Sequence, residues 1–292
     1  MAMGPLDTVR VDHVGSLLRP AWLKEVYARH GQSQASDAEL TEAQDRAVRA
    51  VITQQEALGL PVVTDGEYRR LNFQDSFSGS ITGLAFELER IQAYEQRLAG
   101  AKPLQRWEVG GLKEGKPVSI RRRAVERIRL SRNLPLQEYL FARSVARRPV
   151  KVTLIDTDRI VERFHHEKSR SVYREIADFV NDVVSVQRRM VSELVEAGCA
   201  YIQIDGPSYT RYVDPPSLER IRALGEDPLA SLERAIEADN AVIAGFPGVT
   251  FGLHICRGNQ RSMWHREGSY DAIAERVFRR RGWARPLWSS GW

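Results

Sequence analysis

Short hydrophobic runs recur along the chain, and long amphipathic stretches separate most of them. Each run is long enough for one strand that is buried on both faces. The runs are Arg10–Val14, Pro61–Thr64, Val150–Ile155, Ala200–Ile204 and Val249–His254. The pattern predicts five strands.

Between the runs, apolar residues repeat at helical spacing. The stretches with this spacing are Asp37–Leu58, Val172–Ala197, Pro228–Ala244 and Tyr270–Arg280. Ser36 and Glu39 form a capping-box pattern at the start of the first stretch, and Gly59 ends it before the next strand. Strands that alternate with helices of this length predict a parallel sheet with right-handed crossovers.

The positions of polar residues at the strand ends distinguish a closed barrel from an open sheet. Ser16, Glu67, Asp205, His254 and Cys256 each lie at or just after the carboxyl end of a predicted strand, where barrel enzymes collect their functional groups. The glycine-rich turn of an open nucleotide-binding sheet does not occur in the sequence. The sequence therefore predicts an α/β fold of the (β/α)8 TIM type, incomplete because about five of the eight strands are found.

The predicted organisation is a single barrel domain over residues 1–292. Residues 81–133 interrupt the rhythm with glycine and proline turns and are predicted to be an insertion near the barrel mouth. Residues 279–292 form an atypical tail that contains three of the six tryptophans. Its composition resembles the product of a shifted reading frame more than a strand or helix; a basic aromatic tail that binds a surface is the alternative.

Composition excludes several classes of protein. With 42% hydrophobic and 28% charged residues and no apolar run near 18 residues, the chain has the composition of a globular protein without a membrane span. The first residues lack the features of a secretory signal, so we expect a cytoplasmic location. The net charge of +5 is dispersed except at Arg121–Arg132 and Arg279–Arg285, with no regular aromatic platform beside them, so we expect no nucleic-acid partner.

The strongest chemical signal is the triplet His254–Ile255–Cys256. In an extended strand the first and third side chains point to the same side, so one metal ion could accept both. Nitrogen and sulfur together suit zinc, and a catalytic zinc site needs a third protein ligand and one open position. The alternative is a histidine and a small buried cysteine that simply pack at a strand end.

Four segments of the chain resemble, in order, the catalytic domain of cobalamin-independent methionine synthase. They are His13–Pro20, Val63–Arg70, Tyr201–Pro207 and Gly252–Asn259. The resemblance implies a (β/α)8 barrel in which zinc holds homocysteine as a thiolate that takes the methyl group of a methylated folate, giving methionine. Related members activate coenzyme M against an epoxide, so a thiol alkyl transferase of that type is an alternative.

Carried over residue by residue, the resemblance implies that His254 and Cys256 are the catalytic pair and ligands of Zn²⁺. Gly15 and Ser16 would meet the carboxylate of an amino-acid thiol. Glu67 and Asp205 would take its ammonium group, because two carboxylates suit a cation.

Each of these roles has a structural alternative. Glu67 and Asp205 could instead be helix caps or partners of arginines such as Arg69 and Arg211. Ser16 could be a helix N-cap before Pro20. His13 is a candidate for supporting the site from behind.

The chain departs from the family after Cys256, where the expected glutamate ligand and second cysteine do not appear. Cys199 is expected at the opposite end of the barrel, and neither Glu267 nor Glu275 matches the family position. Two hypotheses remain open. The chain is an active transferase whose open sheet edge is covered by a partner, such as a second copy in a homo-oligomer, or it is a truncated and catalytically silent relative.

Overall fold

The computed structural model describes residues 12–85, 121–258 and 264–278, together with the strand backbone of residues 112–113, 116–117 and 285–288. The strands are β1 (Ile81–Leu84), β2 (Leu112–Lys113), β3 (Lys116–Pro117), β4 (Ala124–Leu130), β5 (Lys151–Ile155), β6 (Tyr201–Asp205), β7 (Thr250–Ile255) and β8 (Arg285–Trp288). The helices are α1 (Ala21–Gly31), α2 (Asp37–Ala57), α3 (Asp75–Ser78), α4 (Leu134–Val145), α5 (Thr157–Glu162), α6 (Ile176–Glu196), α7 (Pro215–Ala223), α8 (Pro228–Ile243) and α9 (Asp271–Phe278). Two 3₁₀ helices cover Glu167–Ser169 and Pro207–Tyr212.

The central sheet is parallel, with the strand order β5-β6-β7-β8. An isolated parallel bridge between Val63 and Val150 extends it on the β5 side. Strands at Val150–Ile155, Ala200–Ile204 and Val249–His254 are thus confirmed to within one residue, as is the parallel α/β class. The strands of the described residues do not close into a barrel.

Two predicted strands differ from the structure. In Arg10–Val14, the described residues from Asp12 onward form no strand, because side chains bind their carbonyl groups: Gln203 Nε2 donates to Val14 O at 2.7 Å. Pro61–Thr64 is reduced to the single bridge at Val63. Proline has no backbone N–H to add to a strand ladder, which limits pairing at the start of this run.

The helices cover the sheet through the apolar faces that their spacing predicts. The capping box of α2 is present, with Glu39 N donating to Ser36 Oγ at 3.2 Å and Ser36 N donating to Glu39 Oε2 at 2.8 Å. Helix α6 buries one continuous stripe: Phe179, Val180, Val183, Val186, Met190, Val191 and Leu194. All of this stripe except Val180 belongs to one hydrophobic core with apolar residues of β5, β6 and β7, which fixes the helix-sheet packing.

The two segments that interrupt the predicted rhythm both contain strands. Strands β1 and β4 pair in an antiparallel ribbon that begins and ends within residues 81–133. In the tail, β8 pairs in parallel with β7, a strand that the composition did not predict. The N–H and C=O groups along the edge of β7 provide the pairing partner, so the tertiary context overrides the local sequence. No helix in the described part of the chain is long and apolar enough to cross a membrane.

Candidate functional site

Strand register brings polar side chains from three strands to one face of the sheet. Thr153 in β5 is in register with Gln203 in β6, and Asp205 in β6 is in register with His254 in β7. In neighbouring parallel strands, residues in register point to the same side. The alternating polar positions of β5 and β6 therefore meet at the carboxyl end of the sheet.

Asp205 and His254 are in direct contact. The Nδ1 atom of His254 lies 2.9 Å from Asp205 Oδ1, which also accepts a 2.7 Å hydrogen bond from Gln203 Nε2. Burial lowers the pKa of His254, but hydrogen bonds to Asp205 and Cys256 outweigh it and raise the pKa to about 10. The imidazole is therefore oriented by a carboxylate on one side and lies within hydrogen-bonding reach of the Cys256 side chain.

The two cysteines lie at opposite ends of the parallel sheet. Cys256 follows the carboxyl end of β7 and is partly exposed, whereas Cys199 precedes β6 and is 2% exposed. Burial raises the pKa of the Cys199 thiol to about 12. Cys199 is therefore an inert part of the core, and Cys256 is the accessible thiol.

Glu67 is held in a strained and buried position. The backbone φ of Glu67 is +57°, in the left-handed region that non-glycine residues seldom adopt. Only 4% of the residue is exposed. Burial raises its pKa to about 7, against the opposing effect of Arg70 and with a further increase from Asp205. The Glu67 and Asp205 carboxylates thus repel each other near the same end of the sheet.

Arg70 helps to hold the Glu67 carboxylate in place. Its Nε donates to Glu138 Oε1 at 3.1 Å and to Oε2 at 2.9 Å, and its Nη2 donates to Oε2 at 2.7 Å. Its Nη1 donates to Thr153 Oγ1 at 2.9 Å. Thr153 Oγ1 in turn donates to Glu67 Oε1 at 2.7 Å. A buried network of charged and hydroxyl groups therefore fixes the Glu67 carboxylate.

The loop with Gly15 and Ser16 is tied to the loop with Glu67. Thr64 Oγ1 donates to Gly15 O at 2.7 Å, and Leu17 N donates to Gly66 O at 3.1 Å. Gly15 has φ +118°, and a Cβ atom there would lie 2.5 Å from Thr153 Cγ2 and 3.4 Å from Glu67 Oε1. Gly15 is buried against the network, while Ser16 is exposed beside it.

Sequence reasoning missed a buried lysine beneath the site. The side chain of Lys151 is 0% exposed, and its Nζ donates to Asp12 Oδ1 and Gln203 Oε1, each at 2.8 Å. It also donates to the His13 carbonyl, so the His13 backbone belongs to this network. The signal was present in the sequence: Lys151 and Thr153 in β5, like Gln203 and Asp205 in β6, are polar residues at every second position of a buried strand.

One structural alternative holds and others do not: Glu67 is the partner of a nearby arginine, with Arg70 Nη1 at 3.7 Å from its Oε1. Arg69 pairs with Asp45, and Arg211 lies 3.5 Å from Asp158, so neither neutralises Glu67 or Asp205. Helix α1 has Pro20 as its N-cap residue, which excludes Ser16 from that role. Glu267 lies in a loop and Glu275 in helix α9.

The donor set only partly fits zinc. His254 and Cys256 supply a nitrogen and a sulfur ligand at one place, but a catalytic zinc ion needs three protein ligands. Within residues 12–85, 121–258 and 264–278, no three His, Cys, Asp or Glu side chains converge as a metal site requires. The described residues thus account for two ligands and no more.

Comparison with known proteins gives one consistent picture. Residues 11–257 match the family model described as the catalytic domain of cobalamin-independent synthase. The chain is 27% identical over 272 residues to the uncharacterized protein YxjH of Bacillus subtilis, covering 92% of this chain and 67% of the relative. It is 29% identical over 260 residues to a methionine synthase of Sulfurisphaera tokodaii, covering 88% of this chain and 64% of the relative.

Solved structures share the fold. A putative vitamin-B12 independent methionine synthase from Listeria monocytogenes superposes with a TM-score of 0.66 at 20% identity, over 91% of this chain and 68% of that one. A B12-independent methionine synthase from Shewanella sp. W3-18-1, in complex with selenomethionine, gives 0.56 at 20% identity, over 86% and 62%. The chain thus spans about two thirds of the length of the relatives that it matches.

Proposed function

The chain belongs to the family of cobalamin-independent synthase catalytic domains, and from this membership we propose that it transfers a methyl group to the thiol of homocysteine, giving methionine. A methylated folate is the proposed donor, and a (β/α)8 barrel is the proposed complete fold. One observation carries the proposal: Gly15, Glu67, Asp205 and His254, from four separate segments, meet at the carboxyl end of one sheet.

The binding roles follow from charge and geometry. The buried carboxylates of Glu67 and Asp205 repel each other, so an ammonium group between them would relieve the repulsion. The hydrogen bonds described for Asp205 from Gln203 and His254 both end on Oδ1, so Oδ2 is the oxygen that we assign to the ammonium group. The exposed Ser16 hydroxyl and the backbone beside Gly15 would bind the carboxylate at the other end of the amino acid.

The thiol end of the substrate is assigned to His254 and Cys256. A free thiol has a pKa of about 8.5 and is mostly protonated at neutral pH. Zinc, when bound by these two residues and a further group, would supply a Lewis acid that favours the thiolate. Asp205 orients His254 through Nδ1, which assigns Nε2 as the nitrogen for the metal.

The complex of the Shewanella enzyme with selenomethionine supports this assignment, because selenomethionine has the carboxylate, ammonium group and methylated chalcogen of the proposed product. It is consistent with a site that holds both ends of the amino acid.

The two cysteines offer a matched test. We expect the purified protein to hold about one zinc ion per chain and to bind homocysteine, and Cys256→Ala to lose the zinc. Cys199→Ala is the control, since its thiol lies at the other end of the sheet. Elemental analysis and calorimetric titration with homocysteine measure both properties. Zinc absent from the wild-type protein, or lost equally from both variants, would contradict the assignment and favour a catalytically silent relative.

A further inference from the structure

Five arginine side chains lie together at the carboxyl end of the sheet, outside the residues assigned to the thiol substrate. They come from separate parts of the chain. Arg159 lies in α5 and Arg163 directly follows it, Arg211 lies in the 3₁₀ helix after β6, Arg266 lies in the segment after β7, and Arg122 forms an isolated bridge with Phe164. We call them the arginine cluster: Arg122, Arg159, Arg163, Arg211 and Arg266.

The cluster is organised around one shared carboxylate. Arg159 Nη1 and Arg266 Nη2 bind the two different oxygens of Glu162, each at 2.5 Å. The flanking guanidinium groups hold the pKa of Glu162 well below its usual range in spite of its burial. Two members of the cluster are thus joined on either side of a single negative charge.

Positive charge in the cluster exceeds the negative charge around it. Asp158 lies 3.5 Å from Arg211, and Asp75 is the acidic group that faces Arg122. Asp156 also acts on Arg159, and Glu226, which is paired with Arg234, acts on Arg211. Counted with Glu162, these five carboxylates face six arginines and leave an excess of one positive charge.

Arg163 is the member without a carboxylate of its own. It makes no ion pair within the described part of the chain, and its Nε atom, like that of Arg159, is buried without a hydrogen-bond partner. Burial and the neighbouring Arg159, Arg122 and Arg266 lower its pKa to about 10, against the opposing effect of the nearby Glu162 carboxylate. Guanidinium groups stay charged at neutral pH, so the cluster retains its mutual repulsion and unsatisfied donors.

The cluster lies on the same rim as the thiol site. Arg266 Nη1 donates at 3.0 Å to the carbonyl of Pro207, two residues beyond Asp205. The ring of its neighbour His265 lies against Gly258, two residues beyond Cys256. Burial lowers the pKa of His265, and the nearby Arg159 and Arg266 lower it further. A molecule that reaches Cys256 from this side passes the arginine cluster.

We propose that the arginine cluster binds an anionic group, a carboxylate or a phosphate, on the substrate that donates the alkyl group. The inference rests on the proposed function, in which the carboxylate of the thiol substrate is already assigned to Gly15 and Ser16. A second site for an anion on the same rim then serves the second substrate. Planar guanidinium groups with unused N–H donors match the oxygens of a carboxylate or phosphate and relieve the excess charge.

Titration calorimetry with two simple probes, glutarate and inorganic phosphate, tests the site. We expect the wild-type protein to bind at least one of them, and Arg163→Gln to weaken that binding about tenfold. Arg276→Gln is the matched control, since Arg276 makes a surface pair with Glu233 and is expected to leave the affinity unchanged. Tighter binding of glutarate indicates a donor that ends in a carboxylate, and tighter binding of phosphate indicates a phosphorylated donor.

Thermal unfolding separates this role from a structural one. Because Arg163 repels its neighbours, we expect Arg163→Gln to unfold at a higher temperature than the wild type when no anion is present. Addition of the probe should raise the unfolding temperature of this variant less than that of the wild type. Equal affinity of wild type and Arg163→Gln for both probes, or binding of neither, overturns the inference. Homocysteine binding is measured in parallel: its retention in Arg163→Gln leaves the proposed function standing, whereas its absence from the wild type refutes that function independently of the anion result.

Discussion

Thr153 donates a 2.7 Å hydrogen bond from its hydroxyl group to Glu67 Oε1, and this contact connects the central sheet to the loop that carries Glu67. The same hydroxyl accepts from Arg70 Nη1 at 2.9 Å. The methyl group of Thr153 fills the space beside Gly15. One side chain of β5 thus positions residues from two of the segments that form the site.

The raised pKa of Glu67 predicts a pH-dependent stability. Its pKa is raised from 4.5 to about 7 in the folded protein, so the folded state favours the protonated form. The stabilising contribution of protonation is fully present below pH 4.5 and is lost as the pH rises through about 7. The shift corresponds to about 3 kcal/mol. We expect Glu67→Gln, which does not titrate, to gain stability relative to the wild type between about pH 5 and 8.

Denaturant unfolding at several pH values measures this difference. Asp182→Asn is the control: the pKa of Asp182 is lowered, chiefly by hydrogen bonds from Arg127 and Tyr173 that outweigh burial, so its carboxyl group stays ionised throughout this pH window. The stability difference between that variant and the wild type should remain constant. A constant difference for Glu67→Gln as well would show that Glu67 is ionised throughout.

Mutations of the adjacent residues Arg70 and Arg69 should differ strongly in their effect on the free energy of unfolding. Removing Arg70 by mutation to Met leaves Glu138 and Glu67 buried without their cation, and we expect a loss of about 3–5 kcal/mol in the free energy of unfolding. Arg69→Met removes only a partly exposed pair with Asp45, so a loss of about 0–1 kcal/mol is expected. Chemical denaturation of both variants checks the prediction, and similar losses would argue against the buried network.

Gly15 and Gly59 provide a second matched pair. Both have positive φ, but a Cβ at Gly15 would lie 2.5 Å from Thr153 Cγ2, whereas a Cβ at Gly59 meets nothing within 4 Å. Gly59→Ala should cost about 1 kcal/mol for backbone strain, and Gly15→Ala about 1–3 kcal/mol more for the clash. Because the clash displaces Thr153, homocysteine binding should weaken only in Gly15→Ala. Unchanged binding in that variant would separate Gly15 from the site.

Asp205→Asn tests the contact between Asp205 and His254. Loss of the negative charge behind the imidazole should weaken zinc binding about 10- to 100-fold, as measured by competition with a chelator. Gln203→Leu serves as the comparison: it removes the hydrogen bonds of the uncharged Gln203 amide to Asp205, Lys151 and Val14 and keeps the Asp205 carboxylate on His254. Equal zinc affinity in the wild type and Asp205→Asn would show that Asp205 does not orient a metal ligand.

Local sequence accounts for much of the fold. The periods of hydrophobic residues in β5, β6, β7 and α6 appear in the sequence because each element must bury a continuous face. The capping box at Ser36 is equally local, since the groups that bond are three residues apart. Where pairing depends on distant chain segments, the hydrophobic pattern gave a wrong prediction. Residues 12–14 form side-chain contacts instead of the predicted strand, and β8 forms at the edge of β7 without having been predicted.

The sequence by itself determined which residues could carry the chemistry. The His-x-Cys spacing and the three accompanying motifs pointed to Gly15, Ser16, Glu67, Asp205 and His254, because those motifs are short and continuous. Only the tertiary structure decided how these residues are supported. The partner of Glu67 is Arg70 and not Arg69, and the partner of Asp205 is His254, since strand register and the crossing of separate loops fix those contacts. The arginine cluster depended on tertiary structure for the same physical reason: its members are scattered along the chain, and electrostatic repulsion arises only where folding brings them together.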